Sequence, residues 1–228
     1  MLITWTEVQR QSPLYLNIGG GNNGHPKQLY EHYIAVDQDP YDTSVSCVQH
    51  NLTQPLPLED ATVDRIHCED FFEHIQAADI LPLLNECYRV LKPQARMRIA
   101  APDYNNPKDK FCLDLGYDPR NHLHITLTHY AMLQRIIAQS PFSKVQFYHY
   151  WDNGTFIHHP IDYALGMVKR TPDNDPRCRR AGAVQIAMGK IQDTLYQWSR
   201  GTQFKTEDLL VRRGHPLHVT SIIVDVVK

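Results

Sequence analysis

The sequence has no excess of charge of either sign. It carries 23 lysine and arginine residues against 25 aspartate and glutamate residues, which leaves a formal net charge of -2 over 228 residues. Nucleic acids and anionic membrane surfaces attract proteins with a strong positive field, and a chain so close to neutral does not supply one. We therefore expect neither a nucleic-acid partner nor a membrane partner.

Long apolar runs are also missing. No segment reaches the roughly 18 consecutive apolar residues of a spanning helix. The opening residues, MLITWTEVQRQSPLYL, lack the basic start, the apolar run and the small-residue cleavage site of a secretion signal. The five cysteines are odd in number and include no CxxC pair, which fits a reducing compartment better than a disulfide framework. These features predict a soluble, cytoplasmic protein.

The sequence also lacks the residue spacing that is typical of a metal site. The 13 histidines are a high number, and HLH at 122–124 and HHP at 158–160 place several of them close together. A zinc site, however, is usually marked by an HExxH helix or by cysteines and histidines at zinc spacing, and neither pattern occurs. We expect no bound metal.

Short apolar strands alternate with helical patterns along the chain, which is typical of an α/β fold with a parallel sheet. Helices are predicted over 78–92 and 127–140, and Pro93 ends the first of them. The length suits one domain, 1–228, with insertions at about 104–126 and 152–217, the second containing a helical stretch. Strands are predicted at 14–18, 33–39, 44–52, 62–70, 95–103, 144–151 and 218–228.

Four of the eleven glycines lie in LNIGGGNNG, residues 16–24, directly behind the first strand. Gly19, Gly21 and Gly24 satisfy the G-x-G-x-x-G pattern of dinucleotide-binding proteins, and Asp37 follows at about the spacing of a ribose-binding acid. Only residues 20–33 separate the first two strands, and Pro26 stands where the crossover helix would begin. A pyrophosphate would lack the helix amino terminus that it needs, so a nicotinamide enzyme is the weaker alternative.

Several segments, taken in order, resemble the class I S-adenosylmethionine-dependent methyltransferases, in particular the small predicted methyltransferases of the type 11-like group. LNIGGGNNG is similar to the first motif of that family, and AVDQDP is similar to the acidic end of its second strand. NLTQPLPLEDATVDRIHCEDFFEHI and LNECYRVLKPQARMRIAAPD resemble its central segment and its helix with the fifth strand, and TSIIVDVVK resembles its ending. Two departures are Asn17, where the family has an acid, and Gln94-Ala95, where it has two glycines.

The resemblance implies a Rossmann-like fold, with a mostly parallel seven-stranded sheet, helices on both faces and an antiparallel final strand. It also implies S-adenosylmethionine as the cofactor. Asp37 would accept hydrogen bonds from both ribose hydroxyls, Asn51 with the backbone of Leu52 would read adenine, and the glycines would let the backbone approach the cofactor. The expected cofactor contacts are Asn17, Gly19, Gly20, Gly21, Asp37, Gln38, Asn51, Leu52, Cys68 and Glu69.

Three of these residues have a plainer alternative. Asp37 could be a solvated turn acid, Asn51 a loop cap and Cys68 a core residue. The acid that Asn17 replaces helps to organise the first loop in the family, and asparagine can still accept a hydrogen bond.

Methyl transfer from a positively charged sulfur mainly requires that the acceptor be aligned and water excluded, and a base is needed only for an acceptor such as a hydroxyl. The candidates for that base are His74, Asp103, His122 and His124. The two insertions would shape the acceptor pocket with Tyr104, His122, His124, Tyr163, Arg170 and Trp198. Family context suggests a small-molecule acceptor such as a sugar or glycan precursor. A cofactor-binding protein without transferase activity remains the alternative.

Overall fold

The computed structural model describes residues 1–20, 32–39, 46–105, 125–161 and 221–228. Within these ranges the chain forms three α-helices, α1 (Trp5–Val8), α2 (Ala77–Val90) and α3 (Tyr130–Ile137), and a 3-10 turn at Phe72–His74. One sheet contains the eight strands of these ranges: β1 (Tyr15–Ile18), β2 (Tyr33–Asp37), β3 (Cys47–Gln49), β4 (Val63–Glu69), β5 (Leu91–Pro102), β6 (Lys144–Asp152), β7 (Thr155–His158) and β8 (Ser221–Val227).

The strand order is β3-β2-β1-β4-β5-β8-β6-β7. The first five strands pair in parallel, and β8 lies antiparallel between β5 and β6. The expected mostly parallel sheet with an antiparallel final strand is therefore confirmed. The chain reverses its direction across the sheet between β1 and β4, and ligands of open α/β sheets bind at the carboxyl ends of the strands beside such a reversal.

The eighth strand, β7, was not expected from the sequence. It pairs antiparallel with β6 through a two-residue turn in which Asn153 and Gly154 have φ angles of 47° and 76°. Asn-Gly is the preferred pair for such a hairpin, because both positions need a positive φ. The first residues of the stretch expected to be an insertion thus extend the sheet.

One face of the sheet carries the main hydrophobic core. Successive side chains of a strand point to opposite faces, and Leu16, Ile66, Ile99 and Val224 share one face. The helix α2 packs there through Ile80, Leu83, Leu84, Cys87 and Val90, whose spacing matches the predicted amphipathic helix. The helix α3 contributes Leu133 and Ile137 to the same core. The helix expected near 183–199 lies outside the described residues.

The opposite face carries a buried polar row. Asn17, His67, Arg98 and Asp225 lie side by side on β1, β4, β5 and β8, and each is at most 3% exposed. Arg98 binds Asp225 through two hydrogen bonds, Nε to Oδ1 at 2.7 Å and Nη2 to Oδ2 at 2.9 Å. His67 Nε2 lies 3.2 Å from Oε2 of Glu69. The polar side chains Arg98 and Asp225, and likewise His67 and Glu69, thus lie in close pairs on this face.

Arg89, in the R-V-L-K-P part of the family-like sequence, anchors the loop that precedes β4. Its guanidinium donates to the carbonyl oxygens of Leu58 at 2.8 Å and Leu56 at 3.0 Å, and it forms ion pairs with Glu86 at 2.6 Å and Asp60 at 2.8 Å. The hydrogen bond from Arg89 lowers the pKa of Glu86. This arginine therefore has a structural role that joins α2 to the chain returning to the sheet.

Candidate functional site

A cavity of about 370 Å³ opens at the carboxyl ends of β1, β2 and β4. Its position at the reversal of strand order is the usual ligand position in such sheets. The residues that line it are Gly19, Asp37, Gln38, Asp39, Asn51, Leu52, Thr53, Asp70, Phe71, His74 and Ile75. Six of them, Gly19, Asp37, Gln38, Asn51, Leu52 and His74, are residues that the sequence analysis singles out.

A second, larger cavity of about 470 Å³ lies at the amino ends of the strands, opposite the first. Tyr15, Tyr33 and Ser46, at or next to the amino ends of β1, β2 and β3, contribute to its wall. Ligands of α/β sheets bind beyond the carboxyl ends of the strands, so position outweighs volume here. The smaller cavity is the candidate functional site.

Asp37 ends β2 and is half-buried at the cavity wall. Its Oδ1 accepts a hydrogen bond from the backbone N–H of Asp39 at 3.1 Å, and its carbonyl oxygen accepts one from the N–H of His50 at 2.8 Å. These bonds fix the turn that follows the strand. The neighbouring Gln38 is exposed, and its carbonyl oxygen accepts from Gln49 Nε2 at 2.9 Å. The carboxylate of Asp37 is thus held at the lip of the cavity.

Position 19 requires glycine both for its backbone φ angle and because there is no room for a side chain. Its φ is +73°, a conformation that other residues rarely adopt, and a Cβ built on it would lie 2.5 Å from Cγ and Cδ2 of Phe71. A Cβ on Gly20 would overlap the side-chain amide of Asn17. The two glycines therefore accommodate neighbouring side chains of the protein itself. The third expected glycine, Gly21, lies outside the described residues.

Asn51 caps a turn at the cavity. Its Oδ1 accepts hydrogen bonds from the backbone N–H of Thr53 at 3.0 Å and from Thr53 Oγ1 at 2.8 Å. This is the loop-cap arrangement that the sequence leaves open as the alternative, and it places the amide at the cavity wall. Leu52, only 6% exposed, adds an apolar surface beside it.

The end of β4 supplies lining residues that sequence reasoning missed. Asp70 follows the last residue of β4, has a φ of +49°, and donates its backbone N–H to the carbonyl oxygen of Ala100 at 2.9 Å. Phe71 and Ile75 form an apolar wall next to it. The carboxyl ends of parallel strands meet at one edge of the sheet, so an acid directly after β4 could have been predicted as a lining residue in the same way as Asp37 at the end of β2.

His74 lies beyond this wall, at the end of the 3-10 turn, with 36% of its side chain exposed. Its Nε2 is 3.8 Å from Oε1 of the buried Glu73. The carbonyl oxygen of Glu73 accepts hydrogen bonds from the N–H groups of Ile125 at 2.8 Å and Thr126 at 3.1 Å, and Thr126 Oγ1 donates to Ile75 at 2.6 Å. The residues on both sides of His74 are thus held by the chain that follows residues 106–124.

Three expected cofactor residues lie behind the cavity wall. Cys68 is 1% exposed within the hydrophobic core, and burial raises the pKa of its thiol well above the usual range. Glu69 is 2% exposed on the opposite face of β4, against His67. Asn17 is 3% exposed in the polar row. The structure therefore places Cys68 at the core position that was its plainer alternative.

Asp103, a candidate base, is fully buried just after β5. Its Oδ2 accepts a hydrogen bond from the backbone N–H of Trp151 at 2.6 Å, and its Oδ1 accepts one from the N–H of Asn105 at 3.0 Å. The carboxylate thus joins the ends of β5 and β6 instead of lining the cavity. The other two candidates, His122 and His124, lie outside the described residues, as do Tyr163, Arg170 and Trp198.

The cavity wall is acidic. Asp37 and Asp39 stand on one side and Asp70 on the other, and no lysine or arginine occurs among the described residues that line it. The described residues also contain no group of three or more histidine, cysteine, aspartate or glutamate side chains that could hold a metal ion. In the same ranges, no helix has the length and apolarity to cross a membrane.

Residues 16–99 match a family model described as a methyltransferase domain, a span that runs from β1 into β5. No curated protein matches the sequence. The solved structure of an S-adenosylmethionine-dependent methyltransferase from Archaeoglobus fulgidus is similar, with 15% identity and a TM-score of 0.57 over 98% of this chain and 90% of that one. At this identity the likeness shows a shared fold.

Two further solved structures are similar at lower TM-scores. A chain in complex with the Trm112 methyltransferase activator of Haloferax volcanii is 14% identical, with a TM-score of 0.49 over 98% of this chain and 88% of that one. Phosphoethanolamine N-methyltransferase 2 from Haemonchus contortus is 15% identical, with a TM-score of 0.47 over 94% of this chain. The alignment covers 48% of the Haemonchus chain, so this protein spans about half of its length.

Proposed function

We propose that this chain is a class I S-adenosylmethionine-dependent methyltransferase, which binds S-adenosylmethionine in the cavity at the ends of β1, β2 and β4 and transfers its methyl group to a small-molecule acceptor. The observation that carries the proposal is the meeting of Gly19, Asp37 and Asp70, from three neighbouring strands, in one cavity within the family-matched residues.

The chemistry of the wall fits this cofactor. A carboxylate at Asp37 can accept hydrogen bonds from both hydroxyls of a ribose, and the apolar side chains of Leu52, Phe71 and Ile75 offer contact surface for a nucleoside. The other expected contacts, Asn17, Gly20, Cys68 and Glu69, would act from behind the wall by fixing the strand ends. When bound, the cofactor supplies a methyl group already activated by a positive sulfur.

The charge of the cavity favours S-adenosylmethionine over a dinucleotide. A pyrophosphate needs cations or free backbone N–H groups, and the described wall has three aspartates and no lysine or arginine. A sulfonium and an ammonium group are, by contrast, attracted by carboxylates. This supports a methyltransferase over the nicotinamide alternative.

The acceptor would lie on the side of the cavity where His74 stands. The residues flanking 106–124 are tied there, because Ile125 and Thr126 bond to Glu73 and the N–H of Tyr104 donates to the carbonyl oxygen of Thr128 at 3.0 Å. The segment 104–126 would therefore shape the acceptor pocket. His74 is the candidate base with the best position, since it is exposed at the cavity, whereas both oxygens of Asp103 accept backbone hydrogen bonds.

A sugar or glycan precursor remains the proposed acceptor class, because its hydroxyl would need the base that His74 could provide. The near-neutral charge and acidic cavity argue against nucleic acid as the acceptor. Cytoplasmic location is proposed because the five cysteines of the sequence are odd in number and include no CxxC pair, which suits a reducing compartment.

Calorimetric titration with S-adenosylmethionine and with NAD tests the cofactor. We expect binding of the first only, and Asp37→Asn should weaken it by at least about tenfold, or about 1.4 kcal/mol. This variant keeps the oxygen that accepts from Asp39, so the turn should survive. Glu59→Gln, an exposed acid in the loop before β4, is the control for overall charge. Binding of NAD, or an unchanged affinity in Asp37→Asn, would refute the assignment.

Transfer itself is tested by following S-adenosylhomocysteine release with a panel of sugars, nucleotide sugars and other small hydroxyl compounds. His74→Ala should abolish turnover of a hydroxyl acceptor while cofactor affinity changes by less than about twofold. Full activity in His74→Ala would assign the base elsewhere, to His122 or His124. Cofactor binding without turnover of any acceptor would favour the non-transferring alternative.

A further inference from the structure

Asp70 occupies a defined place relative to the ribose-binding end of the cavity. The strands β2, β1 and β4 are neighbours, so Asp37, Gly19 and Asp70 stand at three successive strand ends along one edge. Strands are about 4.8 Å apart, which puts the ends that carry the two aspartates about 10 Å from each other, with Gly19 between them. A ligand held at Asp37 and lying across Gly19 reaches Asp70 with its other end.

In S-adenosylmethionine that other end has a net positive charge, because the charges of its ammonium and carboxylate groups cancel and the charge of the sulfonium remains. One carbon joins the ribose ring to the sulfonium, and the amino acid with its ammonium group continues from the sulfur. If the ribose hydroxyls bind Asp37, as the proposed function requires, the positive sulfur and the ammonium group lie toward β4. Asp70 is the acid of the described wall on that side, whereas Asp39 lies next to Asp37.

The backbone of Asp70 is fixed independently of its charge. Its N–H bonds to the carbonyl oxygen of Ala100 at 2.9 Å, and the next residue, Phe71, packs against Gly19. The φ of +49° is one that aspartate and asparagine adopt more readily than other non-glycine residues. Asparagine at this position should keep the backbone and remove only the negative charge.

The surroundings strengthen the effect of that charge. Phe71 and Ile75 make the wall beside Asp70 apolar. Among the described lining residues, the ionisable groups besides Asp70 are Asp37, Asp39 and His74, and Glu73 is buried behind His74. An attraction between opposite charges is stronger where apolar groups replace water.

We infer that Asp70 makes the site select S-adenosylmethionine, which has a net positive charge, over the product S-adenosylhomocysteine, a zwitterion with no net charge, and so promotes product release. The inference rests on the proposed function. In the transfer, the acceptor oxygen forms a bond to the methyl carbon, and the electron pair of the carbon–sulfur bond goes to sulfur, which loses its positive charge. The proton of the acceptor hydroxyl passes to the base. The attraction to Asp70 therefore falls at the moment when the product must leave.

The test compares the affinities of the wild type and Asp70→Asn for three ligands by calorimetry. We expect the variant to bind S-adenosylmethionine at least about fivefold more weakly, with the affinity for S-adenosylhomocysteine changed by less than about twofold. Sinefungin, which carries an ammonium group near the position of the sulfonium, should behave like S-adenosylmethionine. In the wild type, added salt should weaken the two cationic ligands more than the neutral product.

Two control variants separate the local effect from the overall charge. Asp39→Asn removes the same charge at the ribose end, and it should change the affinities for all three ligands by one common factor. Glu59→Gln should change none of them.

An equal loss for all ligands in Asp70→Asn, no loss at all, or a selective loss in Asp39→Asn would each overturn the inference while leaving the proposed cofactor in place. Failure of the wild type to bind any of the three ligands would instead refute the proposed function, and the inference with it.

If Asp70→Asn does not fold, Asp70→Gly replaces it, because glycine adopts a positive φ without strain. The salt dependence of the wild type is an independent measurement that needs no variant. Equal salt dependence for the cationic and the neutral ligands would contradict the inference.

Discussion

The two faces of the sheet are both buried, but they are stabilised by different interactions. On one face Leu16, Ile66 and Ile99 are at most 1% exposed and pack with α2 and α3. On the other, Arg98 and Asp225 are at most 2% exposed and form an ion pair. Apolar contacts depend on volume and fit, whereas a buried ion pair depends on both partners being present. The proposed cofactor cavity lies at the edge where these two faces meet.

Removal of one partner of the Arg98–Asp225 ion pair should lower the stability of the protein more than the other substitutions do. Arg98→Leu leaves the carboxylate of Asp225 buried, with Arg96 at 3.2 Å as a second, partly exposed cation. We expect the free energy of unfolding to fall by about 3–5 kcal/mol, measured by urea denaturation. The double variant Arg98→Leu/Asp225→Leu should recover most of the loss, because no buried charge remains. If it is no more stable than the single variant, charge pairing does not explain the polar face.

Truncation of a side chain on the apolar face should lower the free energy of unfolding by about 2–4 kcal/mol, and a second truncation should not restore it. Leu84→Ala in α2 removes a fully buried side chain and leaves a cavity. Leu84→Met, which roughly conserves volume, is the matched control and should lose less than about 1.5 kcal/mol. Equal losses in the two variants would show that volume does not govern this face.

The pH dependence of stability should arise on the polar side. His149 pairs with Ile223 on β8, and its burial, together with the neighbouring His158 and Arg98, lowers its pKa to about 4. In the unfolded chain the pKa is about 6.5, so the unfolded state takes up the proton first as the pH falls. The contribution to stability is therefore present above about pH 6.5 and is lost progressively down to about pH 4, by roughly 3 kcal/mol at most.

The measurement is a set of urea denaturation curves between pH 6.5 and 5, where most carboxylates remain ionised. His149→Gln should flatten the slope by up to about 1.4 kcal/mol per pH unit. The exposed His32 is the control, and His32→Gln should leave the slope as in the wild type. An unchanged slope in His149→Gln would assign the dependence to other groups.

The sequence predicted most of the sheet and the position of the cavity. Strands β1, β2 and β4 follow from apolar segments that end in glycine or acid, and the family-like motifs placed Asp37 and Gly19 at one edge. The helix α2 could be predicted because Ile80, Leu84 and Cys87 recur at helical spacing. Local periodicity and motif order were sufficient for these features. The site roles of the individual residues stay predictions.

Other features depended on contacts between distant residues. A motif locates Cys68, Glu69 and Asp70 at one strand end, but alternation sends the first side chain to the core and the second to the polar face. Asp70 lies beyond the end of β4 with a φ of +49° and lines the cavity. The space at Gly19 is taken by Phe71, about fifty positions away in the chain, which no local pattern indicates. The strand β7 could have been predicted from Asn153-Gly154, since that pair favours a hairpin.

The smallest expected effect concerns a position that belongs to neither face. Gln94 replaces a family glycine within β5, between the paired residues Leu91 and Arg96, where the register against β4 shifts. Its side chain is exposed and its φ is +65°. Its N–H donates to the carbonyl oxygen of Lys228 at 3.1 Å, so glycine at this position would keep that bond. A positive φ costs a non-glycine residue about 1–2 kcal/mol, and the greater freedom of glycine in the unfolded chain offsets about half of that.

Gln94→Gly should therefore raise the free energy of unfolding by about 0.5–1 kcal/mol, with the cofactor affinity and the pH slope both unchanged. Gln94→Ala is the matched control: it also removes the side-chain amide but keeps the Cβ, so it should give no gain. Urea denaturation of the three proteins distinguishes the two cases. If alanine stabilises as much as glycine, the backbone angle is not the cause, and the family glycine would have to be explained by the side chain of Gln94 instead.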